Sequence, residues 1–159
     1  MSRNIVDGID FSKNYVFLQK FEAMKRIVFL LSAVLLMTLT GCENPSKSRI
    51  YTEEGSKQLL RYSPYKEAEE TLTKAIKYDK HNYEAYYYRG CAKINAQKFE
   101  EAIADFEKAV ELKPDYADAY FNLGRIYYIL HDEDKACENY QLAAKYGRPN
   151  LEDYLKRCR

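Results

Sequence analysis

The sequence predicts an all-α fold: a helix-turn-helix solenoid of about three repeats, closed by a short C-terminal helix and preceded by an apolar leader. Two observations carry this. Sliding the chain by 34 residues returns the same skeleton, with Ala68, Ala102 and Ala136 in register, then Leu72, Phe106 and Tyr140, then Ala75, Ala109 and Ala143. Within a repeat, Tyr65, Ala68, Leu72, Ala75 and Ile76 lie at the i, i+3, i+4, i+7 spacing of a helix with one buried face.

Composition fits one domain. The chain has 159 residues, 16 Tyr, no Trp and a formal net charge of +1. Its charges are mixed along helical faces, which argues against a nucleic-acid partner.

Taken in order, residues 1–23 match no repeat, and Met24 makes a better start than Met1. Residues 24–41 have the form of a signal peptide: Lys25 and Arg26 lead an apolar run of 13 residues, Ile27 to Leu39, interrupted only by Ser32 and Thr38. A spanning helix needs about 20 apolar residues, so this run is short for one. Leu39-Thr40-Gly41-Cys42 resembles a bacterial lipobox. The resemblance implies a lipoprotein signal segment, cleavage before Cys42, diacylglycerol on its sulfur and an acyl chain such as palmitate on its amino group. Several acyl chains hold a protein on a membrane stably, whereas one is marginal. Residues 42–49 then read as an extended lipid-anchored tether, with Pro45 discouraging helix and a reach of at most about 28 Å. The expected location is a bacterial envelope, on the outer membrane facing the periplasm.

The repeat domain is expected over 50–159. The first repeat spans 50–82, with helices Ile50–Arg61 and Pro64–Lys77. The second spans 83–116, with helices Tyr83–Ala96 and Phe99–Leu112, ended by Pro114. The third spans 117–150, with helices Ala117–Leu130 and Glu133–Tyr146, followed by Gly147 as a C-cap signal. Asn150 is expected to cap a last helix, Leu151–Arg157, that covers the third pair within 151–159.

The 34-residue period resembles the tetratricopeptide repeat family, whose pattern is an aromatic, Leu-Gly, Tyr, then Ala-x3-aromatic and a closing Pro. The third repeat has Tyr120, Leu123, Gly124, Tyr127, Ala136 and Tyr140; the second has Tyr86, Gly90, Ala102, Phe106 and Pro114, with Arg89 and Lys93 where Leu and Tyr are usual. In the first, the same offset puts Thr52 at the aromatic, Ser56 at the Gly and Lys80 at the Pro.

The resemblance implies a concave groove lined by the leading helix of each pair. Carried over by register, its residues are Glu84, Tyr87, Tyr88, Cys91 and Asn95, then Asp118, Phe121, Asn122, Arg125 and Tyr128, with Glu53, Glu54, Lys57 and Arg61 from the first repeat. Aromatics beside an amide and a guanidinium suit an extended peptide or a partner helix. Packing of Tyr87 and Tyr88 on a neighbouring repeat is the competing reading. Members that bind chaperone tails use a clamp of Lys, Asn and Arg; Glu53, Glu54, Tyr87 and Tyr88 break that pattern.

No catalytic chemistry is expected, nor a cofactor. The two histidines, His81 and His131, lie in turns, with no zinc-ligand spacing and no phosphate loop around them. Similarity of the C-terminal stretch to the close of bacterial proteins with these repeats implies pairing of Cys137 with Cys158; two buried thiols are the alternative. The whole reads as a non-enzymatic protein-docking scaffold. The rivals are a self-associating solenoid, hence a homo-oligomer, and an accessory subunit of an envelope assembly, secretion or cell-wall enzyme complex.

Overall fold

The computed structural model describes residues 24–25, 27–28, 43–61 and 65–158. Residues 1–23, most of the apolar leader, the lipid-attachment candidate Cys42, and Ser63 and Pro64 lie outside the described residues. Met24, Lys25, Ile27 and Val28 are helical and exposed. Residues Glu43–Arg159 form one compact unit. Among the described residues no helix is long and apolar enough to cross a membrane.

Helix α1 runs from Pro45 to Leu60, so it begins inside the segment expected to be an extended tether. The cause is the pair Asn44-Pro45. Asn44 Oδ1 accepts the Lys47 N–H at 3.0 Å, and Pro45 sits at a position whose N–H has no intrahelical partner. The Asn44 N–H donates to the Tyr78 carbonyl at 2.7 Å, tying this start to the end of the next helix.

The remaining helices are α2 Tyr65–Tyr78, α3 Tyr83–Asn95, α4 Phe99–Leu112, α5 Ala117–Ile129, α6 Glu133–Lys145 and α7 Glu152–Lys156. Each lies within a residue of its expected bounds. No strand occurs among the described residues. Side chains of Asn82 and Asp132 cap α3 and α6 by accepting from the N–H groups of Ala85 and Lys135. Gln97 and His131 turn the chain at φ 60° and 61° in equivalent places of two repeats. Asn150 does not cap α7. It takes φ 59°, and Leu151 holds the cap position with its side chain buried.

The alanine columns are the core. Ala68, Ala75, Ala102, Ala109, Ala136 and Ala143 are each at most 1% exposed. A methyl group there lets paired helices approach closely. Opposite them the leading helices present bare backbone. A Cβ at Gly90 would fall 2.9 Å from Phe106 Cε1, one at Gly124 2.7 Å from Tyr140 Cδ1, and one at Gly55 2.6 Å from Leu72 Cγ.

Gly55, not Ser56, therefore holds the glycine column of the first repeat, and Tyr51, not Thr52, holds its aromatic. Tyr51 stacks on Tyr78 with ring centroids 5.5 Å apart, as Tyr120 stacks on Tyr146 at 5.5 Å. The extra residue lies between Gly55 and Ala68, which are 13 apart where Gly90 and Ala102, and Gly124 and Ala136, are 12 apart. Thr52 instead joins a buried polar contact: Asn82 Nδ2 donates to Ser48 Oγ at 2.8 Å and to Thr52 Oγ1 at 3.0 Å.

Candidate functional site

The corrected register re-sorts the groove. Helices α1, α3 and α5 are related by offsets of 35 and 34 residues, which align Thr52, Tyr87 and Phe121; Glu53, Tyr88 and Asn122; Ser56, Cys91 and Arg125; and Leu60, Asn95 and Ile129. These rows share one side of each helix. Leu60 is 81% exposed and Ile129 46%, so apolar side chains flank the exposed Asn95 along the rim at the C-terminal ends of the helices.

Glu54, Lys57 and Arg61 do not join this face. They line a cleft of about 540 Å³ with Ile50, Glu53, Gln58 and Glu67 at the outer end of the first repeat. The offset of 35 residues puts Ile50 and Lys57 in the columns held further on by Ala85 and Ala92, which are fully buried against the repeat before them. Of the first-repeat residues expected in the groove, Glu53 alone keeps its place there.

The middle of the groove is a polar chain laid over packed rings. Tyr87 meets Tyr88, Phe106 and Tyr116 at centroid distances of 5.2, 5.8 and 4.9 Å. It is a strut between repeats as much as a groove wall, and burial pushes its phenol far above the usual range. Asn122, 7% exposed, donates from Nδ2 to the Tyr87 hydroxyl at 3.4 Å and accepts from Arg125 Nη1 on Oδ1 at 3.3 Å. Burial raises the Cys91 thiol to about 11, against a hydrogen bond with Tyr87 that lowers it. Tyr88 is also raised, by burial first and then by the Glu84 carboxylate. Arg125 and Asn95 stay exposed.

The C-terminal side of the groove is partly covered. Arg148, which sequence reasoning missed, lays its guanidinium 3.9 Å from the Phe121 centroid and pairs with Asp118. Tyr154 meets Phe121 edge to face at 5.2 Å and Tyr140 at a tilt at 4.9 Å. Arg157 Nη1 donates to the Tyr128 hydroxyl at 3.2 Å. Cys137 and Cys158 form a disulfide with Cα atoms 5.4 Å apart. No residue type flags Arg148 in the sequence, since it lies in a turn outside the repeat columns.

His81 and His131 stay in their turns, both exposed. Among the described residues, no three His, Cys, Asp or Glu side chains gather to hold a metal ion.

Paired helices with a Gly–aromatic crossing, stacked so that every leading helix shares one face, define a helical-repeat solenoid. Over 92–146 the repeats are tetratricopeptide repeats. A family pattern described as TPR repeat matches 92–130, and one described as tetratricopeptide repeat matches 117–146. The chain is 32% identical over 96 residues to Hsp70-Hsp90 organizing protein 3 of Arabidopsis thaliana, covering 59% of this chain and 17% of that protein. It thus spans less than a fifth of that relative's length. Among solved structures, the first TPR domain of Spaghetti (RPAP3) bound to the HSP90 peptide SRMEEVD superposes with a TM-score of 0.68 at 25% identity, over 73% of this chain and 93% of that one. The MamA protein superposes with a TM-score of 0.63 at 29% identity, over 69% and 60%.

Proposed function

We propose that this chain is a docking module without catalytic chemistry of its own, taking an extended segment of a partner protein across α1, α3 and α5. The observation that carries this is Arg125. Its guanidinium stands exposed in the third repeat and pairs with no carboxylate among the described residues, while Arg89 and Arg148 are neutralised by Asp105 and Asp118. Asn122, itself fixed by Tyr87, holds it in place.

Such a guanidinium takes a carboxylate in a two-pronged hydrogen bond. Leu60 and Ile129 on the rim and the Tyr88 ring offer apolar contact for the residues beside it. The similar domain that holds SRMEEVD supports an acidic, extended ligand. With Glu53, Tyr87 and Tyr88 where a clamp would place cations or amides, one carboxylate on Arg125 is the recognition assigned here. The module is placed at a membrane surface by lipid on Cys42, in a bacterial envelope, and the intact mass of the processed N-terminus tests that placement.

The groove is tested by selecting binders from a random dodecapeptide library on the full chain. Selected peptides are expected to carry a carboxylate, and Arg125→Ala to weaken them at least tenfold while Arg61→Ala leaves them unchanged. Equal binding by Arg125→Ala overturns the assignment.

A further inference from the structure

The C-terminal segment does more than end the stack. Helix α7 has five residues, where the leading helices α3 and α5 have 13 each. A helix this short has no stability of its own, so what holds it is its docking. Four contacts do so: buried Leu151, Tyr154 on Phe121 and Tyr140, Arg157 on Tyr128, and the covalent bond from Cys158 to Cys137 on α6. Phe121, expected in the groove, is thus the residue this segment covers, while Tyr128 beside it stays 46% exposed.

We infer that the Cys137–Cys158 disulfide is a redox latch on the groove: oxidised, it holds α7 over Phe121, and reduced, it frees that ring for a partner. The inference rests on the groove reading above. Three features support it. The bond ties α6 to the end of the chain and to nothing in the Ala and Gly columns, so its loss unlatches one segment and leaves six helices packed. Both cysteines are partly exposed and line a cavity of about 220 Å³ with Tyr128, Glu133, Tyr140 and Arg157, where a reductant reaches them. The Phe121 ring is large and apolar, and a ring freed from cover is what a docking segment buries.

The step balances as thiol–disulfide exchange with an external dithiol. One of its thiolates attacks a sulfur of the pair and forms a mixed disulfide, releasing the other cysteine as a thiolate that takes a proton. The second thiol of the reductant then displaces the remaining cysteine. Two electrons and two protons pass to Cys137 and Cys158, and the dithiol leaves as a disulfide.

The test uses the full chain, oxidised, reduced with dithiothreitol, and as the double variant Cys137→Ser, Cys158→Ser. Amide hydrogen exchange is expected to speed at least tenfold over 148–158 on reduction and in the double variant, with 83–112 unchanged. Unchanged exchange over 148–158 overturns the latch, as do free thiols at both positions in the oxidised protein. A dodecapeptide selected on the reduced chain is then expected to bind that form, and the double variant, at least fivefold more tightly than the oxidised form. Equal or weaker binding on reduction overturns the latch while Arg125→Ala still reports on the groove. Insensitivity to Arg125→Ala overturns the groove reading, and the exchange data judge the unlatching by themselves.

Discussion

Arg89 grips Asp105 with two hydrogen bonds, Nε to Oδ2 at 2.9 Å and Nη2 to Oδ1 at 2.6 Å. Lys93 Nζ adds a contact at 2.9 Å to the same carboxylate, which is 4% exposed. Arg89 and Lys93 occupy the columns filled in the third repeat by Leu123 and Tyr127. The second repeat thus holds α3 to α4 by a buried ionic cluster in place of apolar packing, and Arg89 Nη1 extends it to Thr73 on α2 at 3.2 Å.

Breaking this cluster from one side is expected to be costly. Asp105→Ala leaves two cations facing each other in a site with little water, and the loss should reach about 3–5 kcal/mol. Replacing the whole cluster by the third repeat's residues, Arg89→Leu with Lys93→Tyr and Asp105→Asn, should be neutral or stabilising by about 1–4 kcal/mol. Urea unfolding of the three forms decides it. A triple variant weaker than the parent chain would show that the cluster is a net source of stability.

The register of the first repeat makes a second prediction. Gly55→Ala drives a methyl into Leu72 at 2.6 Å and should cost about 1–3 kcal/mol, although alanine is the better helix former. Ser56→Ala, one residue on and facing the groove, should change stability by no more than about 0.5 kcal/mol. Thermal melts of the pair test the offset of 35 residues directly. The reverse order would restore Ser56 to the glycine column.

That offset also shows where the sequence was readable. Ala102, Phe106, Gly124 and Tyr140 report their contacts by identity, because a close helix crossing tolerates only small residues on one side and needs a ring on the other. The stretch between Gly55 and Ala68 leaves no such mark. One added residue there shifts α1 as a whole, and Thr52 and Ser56 are plausible enough at the wrong columns to hide it. Pro45 was ambiguous in another way, since proline stops a helix from within and starts one from the first turn. In the groove, Tyr87, Asn122 and Arg125 follow from register. Arg148 over Phe121 does not, because a turn residue carries no periodicity.

Cys91 offers a prediction in pH. Burial raises its thiol to about 11, so its thiolate is scarce at neutral pH and alkylation by iodoacetamide should be about two to three orders of magnitude slower than for an exposed thiol. The Tyr87 hydrogen bond opposes that shift, so Tyr87→Phe should slow alkylation further. A raised thiol pKa favours the folded state below the unfolded value near 9, and this contribution fades as pH climbs toward about 11. Cys91→Ala should therefore lose less stability than the parent chain between those values. Equal slopes in denaturant titrations would mean that Cys91 ionises freely in the fold.

Arg148 holds the last test. Its ion pair with Asp118 is partly exposed, which limits that contact to about 1 kcal/mol or less. Its guanidinium lies over the Phe121 ring at 3.9 Å, and such a contact gives about 0.5–2 kcal/mol. Arg148→Ala should then cost more than Asp118→Ala, with the difference lying in the ring. A double-mutant cycle of Arg148→Ala with Phe121→Leu separates the two, and a coupling of about 0.5–2 kcal/mol is expected. The Asp118 cycle should give less. If the order inverts, the carboxylate rather than the ring fixes Arg148, and Phe121 is freer on that side of the groove than its contacts imply.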